Sequence, residues 1–184
     1  MNEVVLGRRK LLGGMLGLGA AAVISAPAGA TLAERRIAFR NVHNNEKIDA
    51  RYYGADGWDF DGLAEINHGL RDWRTGEIAR IDRPLLDTLA DIRDRLGVSA
   101  RRPFDLISGY RSPNTNAALR ESGGERTGVA RHSQHTLAKA TDIALPGVPL
   151  DRLRAAAMVN QRGGVGFYPR DGFVHVDTGR VRSW

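Results

Sequence analysis

Ser133-Gln134-His135-Thr136-Leu137-Ala138-Lys139-Ala140-Thr141-Asp142 and the later Phe173-Val174-His175-Val176-Asp177 decide how this chain is read. His135 and Asp142 stand seven residues apart, and His175 follows 33 residues after Asp142. Two imidazoles and one carboxylate are side chains that zinc accepts when a fourth coordination position stays open to water. The second stretch alternates as a half-buried strand does, so His175 and Asp177 fall on the same face. Ala140 to Leu145 suits a second strand that carries Asp142 inward. By themselves the three residues fit equally well a surface histidine, a cap and a satisfied core histidine, because no compact signature such as HExxH accompanies them.

The flanking blocks separate these readings. Ser108-Gly109-Tyr110-Arg111-Ser112-Pro113 precedes the first histidine, and Gly163-Gly164-Val165-Gly166-Phe167-Tyr168 precedes the second. In this order the blocks resemble the zinc peptidases of the D-Ala-D-Ala carboxypeptidase, lysostaphin and hedgehog group, closest to its exported murein endopeptidase K-like branch. The resemblance runs from about Ile37 to Trp184. It implies one zinc ion on His135, Asp142 and His175. It also implies that Arg111 binds a substrate carbonyl or carboxylate, and that Ser133 hydrogen-bonds the substrate backbone. One departure is Ala138, where the group has glycine; a methyl there is expected to crowd the site. The extended reading turns His132 away from the zinc set, and Ser108 and Tyr110 read as structural.

A base must take a proton from water and return it to the leaving amine. Related peptidases place a Glu, Asp or His two to six residues before the last histidine, but here Phe173 and Gly172 hold the nearer positions. Asp177 is the first candidate and Asp171 the second. Asp177 serves equally as a partner that orients a ligand imidazole. Arg111, with its planar fork and permanent charge, suits the stabilisation of an oxyanion, and a structural salt bridge is the alternative.

Outward from the site, the scaffold reads as alternating elements. Arg36 to Tyr53 alternates about Asn44-Asn45 as a β-hairpin. Phe60 to Leu70 has helical spacing with Asp59 or Asp61 at its start, and Arg71-Asp72-Trp73-Arg74 closes it with Trp73 as a half-buried aromatic. A second helix runs from Asp82 and Pro84 to Leu96, stopped by Gly97. Phe104 to Ser108 is a buried strand, Asn114 to Glu121 a helix and Ser122 to Gly128 a loop. Pro149 to Gln161 is a helix burying Leu150, Leu153, Ala157 and Met158, and Gly163 to Thr178 is a hairpin about Pro169-Arg170-Asp171. His43 and His68 lie in the scaffold. The expected fold is α+β, with helices packed on a small antiparallel sheet that carries the zinc site.

With 184 residues the chain holds one core domain after its leader. The formal charge of +6 suggests nucleic acid only if it is clustered, and here 27 basic residues are interspersed with 21 acidic ones. Taking away Glu3, Arg8, Arg9 and Lys10 with the first 30 residues leaves 24 basic against 20 acidic side chains, a mixed surface that calls for no nucleic acid. There is no cysteine, so disulfides and thiolate metal sites are excluded. Gly7-Arg8-Arg9-Lys10-Leu11-Leu12 is a twin-arginine pattern ahead of a Gly/Ala/Leu run too short for a membrane span. Ala28-Gly29-Ala30 offers a small-x-small cleavage site, so residues 1–30 read as a signal peptide, 31–184 as the peptidase domain and the periplasm as its destination. The resemblance implies a peptidoglycan hydrolase cutting stem-peptide cross-links that involve diaminopimelate, the 3-3 type among them. A stem-trimming carboxypeptidase and a non-catalytic wall-binding module of the same fold are the alternatives.

Overall fold

A computed structural model describes residues 34–123 and 129–184. The twin-arginine leader and most of the Ser122 to Gly128 loop lie outside the described residues. Strands β1 (Arg35–Asn41) and β2 (Lys47–Gly54) form the expected hairpin, and Asn45 at its turn takes a φ of 57°, a conformation asparagine tolerates better than most side chains. A two-residue β3 (Gly57–Trp58) pairs with β2. Helix α1 (Phe60–Gly69) starts where the Asp59 carboxylate accepts the Gly62 amide at 3.0 Å.

Helix α2 (Arg83–Arg95) follows Asp82, with proline in its first turn. The Asp82 side chain does not cap it. Its carboxylate accepts the Thr178 hydroxyl at 2.5 Å and its amide bonds Ala138 O, so the helix start is tied to the loops beside the histidines. Strand β4 (Phe104–Ser108) leads to α3 (Pro113–Gly123), then to a short 3₁₀ turn (Gln134–Leu137) and β5 (Ala140–Ala144). Helix α4 (Leu150–Val159) and strands β6 (Gly164–Tyr168), β7 (Phe173–Asp177) and β8 (Arg182–Ser183) complete the chain. Met158, expected on the buried side of α4, is 41% exposed.

The α+β class holds, but the sheet is neither small nor wholly antiparallel. Eight strands run in the order β3-β2-β1-β4-β5-β7-β6-β8, with β1 parallel to β4 and β6 parallel to β8. The β1–β4 pairing needs a crossover through α1 and α2, which alternation within one strand does not reveal. Strands β3 and β8 have two residues each, too few to show a period.

Alternation divides the sheet into two faces. Ile37, Phe39, Ile48, Ala50, Phe104, Leu106, Ile143, Val174 and Val176 join Ile66, Leu85, Leu89, Ile92 and Leu153 of the helices in one core. The residues between them point the other way. Asp142 on β5 sits opposite His175 on β7, and Ala140 opposite Asp177. A register shift between Leu106 and Ser108 brings Ser108 opposite Asp142, so the end of β4 delivers the Gly109–Arg111 loop beside the carboxylate.

Candidate active site

His135, Asp142 and His175 are 3%, 6% and 8% exposed, and they converge. His135 Nε2 lies 3.2 Å from His175 Nδ1 and 3.3 Å from Asp142 Oδ1, and His175 Nδ1 lies 2.8 Å from that same oxygen. The opposite nitrogen of each ring is already engaged. His135 Nδ1 donates to Gly109 O at 2.7 Å, and His175 Nε2 donates to Asp177 Oδ2 at 2.9 Å. With those tautomers fixed, two imidazole lone pairs and a carboxylate crowd one point. Such an arrangement is repulsive unless a cation or a proton sits among them. Ligands at zinc's usual distances stand roughly 3.3–3.5 Å apart around a tetrahedral centre, so this donor set fits zinc.

The backbone that aims these groups is tightly prescribed. A Cβ on Gly109 would lie 2.5 Å from Leu70 O, so only glycine lets this loop run close enough for its carbonyl to reach His135. Arg111 N bonds His135 O, and the Ser133 hydroxyl oxygen accepts the His135 amide at 3.3 Å, capping the 3₁₀ turn. That use leaves the Ser133 hydroxyl proton free for a ligand in the cleft it lines.

Ala138 ends the turn at a φ of 55°, in the left-handed region. Its methyl packs into the core and does not line the cleft, so the expected crowding is absent. What would favour a glycine here is backbone conformation instead. Ala138→Gly would relieve about 1–2 kcal/mol of strain, but it would lose a buried methyl worth about 0.8 kcal/mol and loosen the unfolded chain by about 0.4–1 kcal/mol. The terms nearly cancel, so urea unfolding should show a change below about 1 kcal/mol. A much larger loss would mean that the methyl is an essential core contact.

Arg111 lies over the site with 11% of its side chain exposed. Its partners are weak and mostly neutral: Asn116 Oδ1 at 3.3 Å, Ser108 Oγ at 3.4 Å, and Asp142 Oδ2 at the 4.0 Å limit. Its buried Nε–H has no partner, and burial lowers its pKa from the ordinary value. This is a desolvated cation with unused donors beside the His135, Asp142 and His175 cluster. It suits an arriving anion better than a structural salt bridge.

Asp177 is placed differently. Its side chain is fully buried and accepts five hydrogen bonds. Oδ1 takes the Gly164 and Gly179 amides and Arg182 Nη1, while Oδ2 takes His175 Nε2 and, at 2.6 Å, Arg182 Nη2. Burial pushes its pKa up, but these donors outweigh it and hold the carboxyl well below the usual range. Glycine at 164 is required, because a Cβ there would lie 2.4 Å from Asp177 Oδ2 and 2.3 Å from Arg182 Nη1. Asp171 sits in the exposed turn before β7 and does not line the cleft. His132, expected to face away in an extended segment, lies in a turn, is exposed and lines the cleft. Sequence reasoning also missed Tyr168, Arg182 and Trp184 as cleft residues; the two-residue β8 that brings the last two there carries no periodic signal.

The ligand cluster gives a pH signature. Without metal, burial lowers the His175 pKa, but Asp142 and Asp177 outweigh it and the net shift is upward. A raised histidine stabilises the metal-free fold fully below about pH 6.5, and this is lost as pH rises through the folded-state value. Asp142 is held low by the two imidazoles against its burial, so its contribution is lost only in strong acid. Zinc bound at His175 would have to displace its proton. The rise in Tm on adding zinc should therefore be larger at pH 8 than at pH 6. An equal rise at both pH values would remove His175 from the ligand set.

A buried triangle of two imidazoles and a carboxylate, with a desolvated arginine beside it, is a donor set that could hold a metal ion in a hydrolase cleft. Over residues 29–184 the chain matches the family described as peptidoglycan L,D-endopeptidase MepK, and it belongs to that family of peptidases. It is 42% identical over 188 residues to the peptidoglycan L,D-endopeptidase MepK of Escherichia coli (strain K12), covering all of both chains. The protein of that name from Shigella flexneri is equally similar. A probable peptidoglycan L,D-endopeptidase MepK from Haemophilus influenzae is 36% identical over 150 residues, 82% of this chain and 78% of the relative. No solved structure matches.

Proposed function

We propose that this peptidase is a zinc-dependent peptidoglycan hydrolase that cuts L,D-peptide cross-links between stem peptides. The convergence of His135 Nε2, His175 Nδ1 and Asp142 Oδ1 in a chain alike over its full length to L,D-endopeptidases carries the reading. A zinc ion held by those three atoms would supply Lewis acidity and a water of lowered pKa. Arg111 then receives the scissile carbonyl oxygen as it gains negative charge, in a site dry enough for that contact to count. Ser133 donates to the peptide backbone and helps align it.

Asp177, open from sequence to two roles, takes the orienting one. Five donors occupy its oxygens, so no lone pair is left for a water proton. What it does is hold His175 in the tautomer that presents Nδ1 to the metal. The proton-carrying role passes to His132, a cleft imidazole outside the ligand set, which can take a proton from water and return it to the leaving amine.

The leader reading supports export by the twin-arginine route, with cleavage after Ala30 and a mature periplasmic chain of residues 31–184. No helix among the described residues is long and apolar enough to cross a membrane. Digestion of intact sacculi by the exported protein, itself expected to begin at Thr31, tests the function by mass spectrometry. Loss of cross-linked dimers, blocked by chelator, is the expected result. Shortened monomer stems would show a carboxypeptidase instead, and unchanged sacculi a wall-binding module.

A further inference from the structure

Tyr168 ends β6 on the site face of the sheet, opposite Phe173 of β7, and the two rings stack with centroids 4.6 Å apart. Trp184 follows β8 and lies across Gly166, where a Cβ would come within 2.7 Å of the indole. A glycine at this position is what admits the ring. The indole centroid is 5.4 Å from that of His175, and the Arg182 guanidinium packs on it at 4.8 Å while holding Asp177. Tyr168, Phe173 and Trp184 line the same cleft as the metal ligands.

The hydrogen bond within this wall has a fixed direction. An indole N–H can only donate, and Trp184 Nε1 donates to the Tyr168 hydroxyl oxygen at 2.7 Å. The phenol oxygen is therefore the acceptor in that bond. No acceptor for the phenol's own proton is found among the described residues. A donor held this way in the wall of a catalytic cleft is prepared for an oxygen that arrives with the ligand.

We propose that Tyr168, oriented by Trp184, is a substrate-binding residue whose hydroxyl donates to a carbonyl or carboxylate oxygen of the cross-linked stem peptide. The proposal deepens the reading above and rests on it for the ligand's identity. Tyr168→Phe keeps the ring stacked on Phe173 and removes the hydroxyl, which is both the donor offered to the ligand and the acceptor of the exposed Trp184 N–H. Trp184→Phe keeps an aromatic wall with a smaller ring and removes the N–H that orients the phenol.

The test is calorimetric binding of a purified L,D-cross-linked muropeptide dimer to chelator-treated full-length protein, which reads affinity without turnover. Tyr168→Phe should weaken binding roughly 3–10-fold with Tm unchanged. Trp184→Phe should weaken it by less, and the double variant should bind no worse than Tyr168→Phe. Unchanged affinity in Tyr168→Phe overturns the proposal, as do additive losses in the double variant or a wild type that binds no dimer. Cleavage by the zinc-loaded wild type is scored separately. A protein that binds through Tyr168 yet cleaves nothing would contradict the enzymatic reading and leave the subsite in place.

Discussion

Hydrolysis should disappear in each of His135→Ala, Asp142→Ala and His175→Ala, and the metal should leave with it. Each change removes one of three converging donors, and two protein ligands make a poor zinc site. Asp142→Ala has a second consequence, since it leaves His135, His175 and Arg111 without the carboxylate that balances them. The fold should survive all three changes. The apolar core on the other face of the sheet, from Ile37 through Val176, does not touch these side chains' chemistry. Circular dichroism should thus stay native while metal analysis falls to background. Stoichiometric zinc in His175→Ala would remove that residue from the site. In the wild type, chelation should inactivate and added zinc restore activity.

The second large effect separates an orienting Asp177 from a catalytic one. Asp177→Asn keeps the shape but gives one oxygen's place to an amide that donates. Either His175 Nε2 or Arg182 then loses its acceptor, and the Arg182 charge beside the imidazole is no longer neutralised. Zinc affinity should fall about 10–100-fold, with activity returning as zinc is added. His132→Gln should do the opposite, lowering the rate about 10²–10⁴-fold with zinc fully bound. If Asp177→Asn loses rate at full metal occupancy and His132→Gln does not, the roles are exchanged and Asp177 is the base.

The site was more legible in the sequence than the sheet that carries it. Strict alternation in Phe173 to Asp177 fixes His175 and Asp177 on one face, and the structure places them so. The Gly163–Gly166 run was visible as a block, but its reason was not. Gly164 makes room for Arg182 and Gly166 for Trp184, and those partners lie in and just after a strand of two residues. Asp177 was ambiguous for the same cause, because three of its five donor contacts come from Gly164 and Gly179 amides and a histidine, but the charge that saturates it comes from Arg182. His132 was misdirected by treating the segment before His135 as extended, when a turn and a 3₁₀ turn carry it. The parallel β1–β4 pairing depends on two intervening helices, a distance over which local periodicity says nothing.

Bond specificity and metal dependence are read together when zinc-loaded protein is given two purified muropeptide dimers, one joined by an L,D bond and one by a D,D bond. Mass spectrometry should show the L,D dimer converted to its two monomers, no cleavage with His135→Ala or chelator, and the D,D dimer left intact. Cleavage of the D,D dimer in preference, or conversion of the L,D dimer that persists without metal, would contradict the account.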